Sequence, residues 1–307
     1  MARVPGFIWL DGALAPAGAP HLPVSDRGFQ LGDGIFETLR ARRGVAIELD
    51  AHLARLHQSA DALALRLPFG DEAIAEGIVG LLAAESLDAD GRDGAPPGDA
   101  ALRITVSRGT VAGRGLLPAG YAEATGRLVI EAWPYAPPAP RLLAEGARAI
   151  TSTIRHARRS PLAGVKTTSR AEHVYARLEA LRAGADEALF LTADGEVSES
   201  TIANVWAVVG ARLLTPSAGA AILAGTTRAW LFAHAAELGF AAEERPLVVE
   251  ALVGAGEAFL SSSVAGIVPL VALDGHPIGS GQPGQRSLAL REARERWIDD
   301  VSLGRAG

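Results

Sequence analysis

The stretch that most restricts the fold is Trp133-Pro134-Tyr135-Ala136-Pro137-Pro138-Ala139-Pro140. Each proline fixes φ and lacks a backbone N–H. Four of them in eight residues break any helix interior or central strand. The chain is therefore expected to form two parts joined by a stiff segment. Its 307 residues give each part enough length for a sizeable core. We place an N-terminal domain over 1–132, a linker over 133–140 and a C-terminal domain over 141–307.

The first part reads as a small α/β unit. Phe7-Ile8-Trp9-Leu10, the turn Asp11-Gly12 and a Pro/Ala stretch suggest an opening hairpin. A glycine- and charge-rich loop, Ser25 to Asp33, then feeds a strand over 35–40 that carries Phe36, Glu37 and Thr38. Gly28, Gly32 and Gly34 suggest unusual backbone angles or close approach, not a packed helix. The spacing over 50–67 is helical, with Leu53, Leu56, Ala60 and Leu63 on one face. Arg55, taken by itself, reads as a solvated arginine of that helix. A second helix is expected over 71–87, a Gly/Pro/Asp insert over 88–99, and strands over 102–107 and 128–132. Between those strands, Arg108 and Arg114 lie in a glycine-rich loop. Such arginines suit bidentate binding of a substrate carboxylate, or simply a solvated loop.

The second part is arranged around Lys166. Of 29 basic residues it is the one lysine, and 28 are arginine. Arginine supplies surface charge as well as lysine does, but its guanidinium stays protonated and cannot attack a carbonyl. Composition alone also allows a solvated lysine kept by chance. From Lys166 the pattern predicts a helix to about Ala183, with Val174, Leu178 and Leu181 inward and Gly184 as its C-cap. A hairpin signal follows, ending on Glu199, then strands over 205–209 and 213–216. Leu223-Ala224-Gly225-Thr226-Thr227-Arg228 opens a helix to about Leu238. A glycine and two threonines at a helix start suit a phosphate, or ordinary N-capping. A late strand over 258–260 runs into Ser261-Ser262-Ser263, a second donor-rich strand end.

Composition narrows the classes. The chain is 49% apolar and 21% charged with a net charge of −6, as in a soluble globular protein, and a polyanion partner is not expected. There is no cysteine, which excludes disulfides and thiolate metal sites, and no histidine spacing suggests a metal. No leader or bilayer-spanning run is read, so the expected location is cytoplasmic, with neither nucleic acid nor membrane as partner.

A reactive lysine, a downstream carboxylate and two hydroxyl-rich phosphate candidates together fit pyridoxal 5′-phosphate. The ordered motifs Asp26-Arg27-Gly28…Gly32-Asp33-Gly34…Phe36-Glu37, His52…Arg55-Leu56, Lys166, Glu199…Asn204 and Gly225-Thr226-Thr227-Arg228 resemble the class-IV aminotransferase superfamily, PLP fold type IV. That group includes branched-chain aminotransferases, D-amino-acid aminotransferases and aminodeoxychorismate lyases. The resemblance implies a small N-terminal α/β domain, a larger β-rich C-terminal one, and a homodimer with active sites near the interface. It makes Lys166 the Schiff-base lysine and Glu199 the partner of the pyridine nitrogen. Arg55, Thr226, Thr227, Ser262 and Ser263 would hold the phosphate, with Leu223 behind the ring. Phe36, Arg108 and Arg114 would meet a small-molecule amino donor and keto-acid acceptor.

The subfamily is divided. Ser262-Ser263-Val264-Ala265-Gly266 lacks the glutamate of the branched-chain pattern, and Ala171 stands where those enzymes tend to have tyrosine. Ser107 to Gly115, Arg155 to Lys166, and Thr38 after Glu37 are more similar to the lyase, where such a threonine assists proton transfer. Transamination is the first expectation and lyase chemistry the second, with an inactive PLP-binding protein as a remote third.

Overall fold

A computed structural model describes residues 4–19, 21–90, 97–113 and 115–305. The chain forms two compact units. The first comprises Met1–Ala136, Val165–Arg170 and Ile298–Gly307, and the second Pro137–Gly164 and Ala171–Trp297. Lys166 therefore belongs to the first unit, although the sequence expectation puts it with the second part.

In the first unit the elements run β1 (Phe7–Leu10), β2 (Ala13–Pro16), α1 (Arg27–Leu31), β3 (Gly34–Arg42), β4 (Val45–Ala46), α2 (Leu49–Ala62), α3 (Asp71–Ala84), β5 (Asp99–Ser107) and β6 (Arg127–Pro134). The strands form one antiparallel sheet in the order β2-β1-β6-β5-β3-β4. Alternation decides its two faces. Ile35, Leu39, Leu102, Ile104, Leu128 and Ile130 are fully buried and pack with Leu53, Leu56 and Ala60 of α2 and Ile74, Ile78 and Leu81 of α3. Each such large side chain contributes roughly 1.5–3 kcal/mol by burial, which fixes the register. The opposite face, with Thr38, Arg103 and Glu131 in one row, is left only half-buried. Two expectations change here. The glycine-rich loop contains the short helix α1, capped by Asp26, whose Oδ1 accepts from Gly28 N at 2.7 Å. Helix α2 ends at Ala62, not 67, because Leu63 and Ala64 turn off it.

The second unit runs α4 (Pro140–Ala144), β7 (Ala147–His156), α5 (Ala171–Arg182), β8 (Glu187–Thr192), β9 (Val197–Ser200), β10 (Asn204–Val209), β11 (Arg212–Thr215), α6 (Thr226–His234), β12 (Ala241–Glu244), α7 (Val249–Val253), β13 (Glu257–Ser262), β14 (Gly266–Leu273), β15 (His276–Pro277) and α8 (Gln285–Ser302), whose last five residues count with the first unit. Its mixed sheet has the order β12-β11-β10-β13-β14-β7-β8-β9, with β15 on β14. One face packs Val205, Ala207, Leu260 and Leu270 with Leu252 of α7. The other packs Trp206, Phe259 and Ile267 with Trp230 and Leu231 of α6 and Leu290 of α8.

The face of α5 is the reverse of the sequence expectation. Val174 and Leu181 are 59% and 72% exposed and Leu178 is exposed too, while Ala176 and Ala180 are buried against Ala188 and Phe190. Strand β8 is buried along its whole length and brings the bulky Phe190, so only small residues let the helix approach. Strand β14 gives no alternating signal, being apolar throughout, and it contains Pro269. The proline is accommodated because the ladder to β7 begins only at Leu270. Among the described residues no helix is long and apolar enough to cross a membrane.

Candidate active site

Lys166 does not start a helix. Its segment is extended and lies against the beginning of β3, with a bridge between Ile35 and Thr167. Phe36 N donates to Lys166 O at 2.9 Å, Thr168 N to Gly34 O at 2.9 Å, and Lys166 N to Ser59 Oγ of α2 at 3.2 Å. The glycines of the preceding loop make this docking sterically feasible. A Cβ on Gly34 would lie 2.6 Å from Val106 O and 3.1 Å from Thr168 Oγ1. Gly32, at φ +66°, caps α1 and has the Ser169 backbone where its own Cβ would press.

Docked this way, Lys166 carries its Nζ 4.5 Å from the centre of the Phe36 ring. Phe36 lies on the half-buried face of the sheet. Arg103 holds its Cζ 3.8 Å from the centre of the same ring, and its Nε donates to Thr105 Oγ1 at 3.1 Å. Thr38 is the direct cross-strand neighbour of Arg103, and Glu131 is its neighbour on the other side. Arg103 was not singled out from the sequence. Its signal was the alternation of β5, which turns Leu102 and Ile104 inward and leaves Arg103 on the face of Phe36 and Thr38.

Glu37 points to the opposite face, into the contact with α2. Its carboxylate accepts from Arg55 Nε at 2.8 Å and Nη2 at 2.6 Å, and is bonded to His52 Nδ1 at 2.8 Å. Burial by itself would raise the Glu37 pKa, but hydrogen bonds and charge from Arg55 and His52 bring it down to about 2. Burial pushes His52 below the usual histidine value, with Glu37 opposing. Arg55 is thus a buried, oriented arginine and not the solvated one its helix position suggests.

Arg108 takes a different part from the one expected. It is 1% exposed, donates through Nε to Asp33 and through Nη1 and Nη2 to the carbonyls of Ala64 and Leu63, and stacks 3.7 Å over Tyr121. With these donors engaged, it is built to fasten the glycine-rich loop to the end of α2 and not to receive a substrate carboxylate. Arg114 lies outside the described residues.

The second unit assembles the remaining predicted residues. Glu199 sits on β9, and its Oε2 accepts from Leu223 N at 2.9 Å. Asn204, at the start of β10, donates from Nδ2 to Leu223 O at 2.8 Å and leaves no room for a Cβ on Gly225. The Leu223–Gly225 turn is thereby pinned from both sides, directly before α6. Gly225 provides no side-chain cap for that helix. Thr226 Oγ1 lies 3.0 Å from Ser263 Oγ, just past the end of β13, where Ser262 pairs with Gly266. Thr227 Oγ1 is buried without a hydrogen-bond partner among the described residues. A nine-residue helix with an uncapped N-terminus, three hydroxyls and no acidic residue in its first turn has the donor set an anion requires.

The family model for amino-transferase class IV matches residues 34–273, from the first residue of β3 to the last of β14. The chain belongs to the class IV aminotransferases. It is 33% identical over 296 residues to a putative branched-chain-amino-acid aminotransferase of Methanocaldococcus jannaschii, covering 94% of this chain and 97% of that one. It is 29% identical over 303 residues to an aminodeoxychorismate lyase of Bacillus subtilis, covering 98% of both. Its fold is similar to that of a branched-chain amino acid aminotransferase of T.th. solved with pyridoxamine 5′-phosphate, with a TM-score of 0.84 and 26% identity over 98% of this chain and 95% of that chain. These relatives agree on the family and differ in the reaction, as the motifs of this class IV chain do.

Proposed function

We propose that the protein is a pyridoxal 5′-phosphate-dependent aminotransferase that moves an amino group from an amino acid or amine to a 2-keto acid. The observation that carries this reading is Lys166, the chain's one lysine, presenting its amine over Phe36 on the half-buried face of β3. The donor set at α6 fits the cofactor's phosphate, and the orphaned Thr227 hydroxyl supports that fit. When bound, the cofactor takes up the electron pair left behind as the substrate loses its α-proton. The rest of the work belongs to side chains. Lys166 anchors the cofactor through its amine and afterwards carries the proton between the two carbons of the 1,3-shift. Glu199 keeps the pyridine nitrogen protonated, with Leu223 behind the ring. Thr226, Thr227, Ser262, Ser263 and Arg55 hold the phosphate, and Glu37 and His52 fix the orientation of Arg55. We propose further that the enzyme is a cytoplasmic homodimer.

Lyase chemistry is the second reading, and one observation favours it. Thr38 lies on the face of the sheet that carries Phe36, over which Lys166 presents its amine, and its place after Glu37 matches the threonine that assists proton transfer in the lyase it resembles. A panel of L-branched amino acids, D-alanine, (R)-phenylethylamine and aminodeoxychorismate separates the two. The expected result is amino transfer to a keto acid, lost in Lys166→Ala, with Thr38→Ala within a few-fold of wild type. Release of aminobenzoate and pyruvate, falling on the order of 10²-fold in Thr38→Ala, would make the protein a lyase. Full turnover by Lys166→Ala without added amine would overturn both readings.

A further inference from the structure

The row Thr38, Arg103 and Glu131 crosses three adjacent strands on the face that carries Phe36 and Lys166. Directly paired residues of antiparallel strands have Cβ atoms about 4.5–5.5 Å apart, so a cation and an anion stand side by side here. They are not a surface pair: both residues are half-buried, and burial pushes the Glu131 carboxyl up and Arg103 down, each charge opposing the other's shift. Arg103 rests on Phe36, and little else ties the pair into the framework. Beyond the bond from Arg103 Nε to Thr105, neither side chain has a protein hydrogen bond among the described residues. Arg40, two residues before Arg42 on the same face of β3, is by contrast paired with Asp99 through Nε and Nη2.

An arginine on the same ring as the Lys166 amine, without Glu131, would attract a second carboxylate on the substrate. With Glu131 across the ladder, an incoming side-chain carboxylate meets repulsion beside attraction and must also give up its water. An uncharged side chain forfeits neither and packs on Phe36 and Val129, which stand in the adjoining row with Thr105.

We infer that Glu131 is a specificity-determining residue that masks Arg103 toward side-chain carboxylates, so that the site takes amino and keto acids with uncharged side chains. This inference rests on the aminotransferase reading and adds to it a residue and a substrate class. Discrimination comes from a repulsive charge built against the wrong ligand as much as from contacts to the right one. If Glu131 were only a counter-charge that stabilises Arg103, its removal would weaken every ligand alike.

The test is calorimetric binding of glutarate and of valerate, five-carbon acids with two carboxylates and with one, to the PLP-loaded enzyme. In Glu131→Gln, glutarate should bind about tenfold more tightly than to wild type, a change near 1.4 kcal/mol, while valerate stays within about twofold. The gain should vanish in the double variant Glu131→Gln/Arg103→Gln. Glu131→Ala replaces the first variant should that one not fold. An unchanged glutarate-to-valerate ratio, or a gain that survives loss of Arg103, overturns the inference. If the ratio moves as expected but the wild type transfers no amino group across the donor panel, the aminotransferase reading fails and the masking by Glu131 stands.

Discussion

Glu37 and its two partners form a buried unit whose charges are set against one another. The carboxylate is ionised far below its ordinary range and His52 is held toward its neutral form, so the folded state binds fewer protons than the unfolded chain on both accounts. The sign follows from that. Stability is fully present above the unfolded values, begins to fall below about pH 6.5 as His52 gains a proton in the unfolded chain, and falls further from 4.5 toward 2 as Glu37 does. The Glu37 shift corresponds to about 3 kcal/mol. Glu37→Gln should therefore be destabilised at neutral pH and lose the part of the acid dependence below 4.5, read from urea midpoints between pH 3 and 8. A parallel acid slope in wild type and variant would remove Glu37 from this role. A single residue stands out as a candidate in the sequence where its chemistry is rare, as with Lys166, and does not where its chemistry is common. Arg103 and Arg108 lie five apart on one strand and its exit, and only the pleat and the position of Asp33 show which of them is engaged.

At the scale of elements, the strands and helices of the first unit follow their periodicity, because one face of each is buried and the other is not. Helix α5 shows where that logic reverses. Its leucines and valine have the spacing of an inward stripe, yet the neighbour they would meet is already filled by Phe190 and Ile150, and the alanines take the contact. Two substitutions separate the faces. Ala180→Leu should cost about 1–3 kcal/mol by overpacking against Ala188 and Phe190. Leu181→Ser should stay within about 0.5 kcal/mol of wild type, as surface changes do. Thermal and urea unfolding of the two variants checks this, and equal costs would mean that α5 packs on the face its sequence suggests.

For the molecule as a whole, the break at the proline-dense run can be read locally, but the return of two later segments to the first unit cannot. Residues 165–170 return through the bridge of Thr167 to Ile35, and the end of α8 through Asp299, which pairs with Arg42 and Arg43. Both depend on partners more than a hundred residues away. The hydroxyl cluster at α6 is likewise a product of assembly, since β13 delivers Ser263 to a helix whose own Thr227 hydroxyl has no partner among the described residues. A buried, unsatisfied hydroxyl costs the empty protein stability, on the order of 1–3 kcal/mol, and that cost is recovered when a ligand accepts its hydrogen bond. Thr227→Val keeps the shape and removes the hydroxyl, so the unliganded variant should melt at or above the wild-type temperature. The liganded comparison should run the other way. At about 100 times its dissociation constant, a ligand that binds only the folded state adds about 2.7 kcal/mol, or several degrees of melting temperature. Inorganic phosphate should therefore raise the melting temperature of the unloaded wild type, and should do so far less for Thr227→Val. If both proteins respond equally to phosphate, the α6 terminus is not the site that holds it.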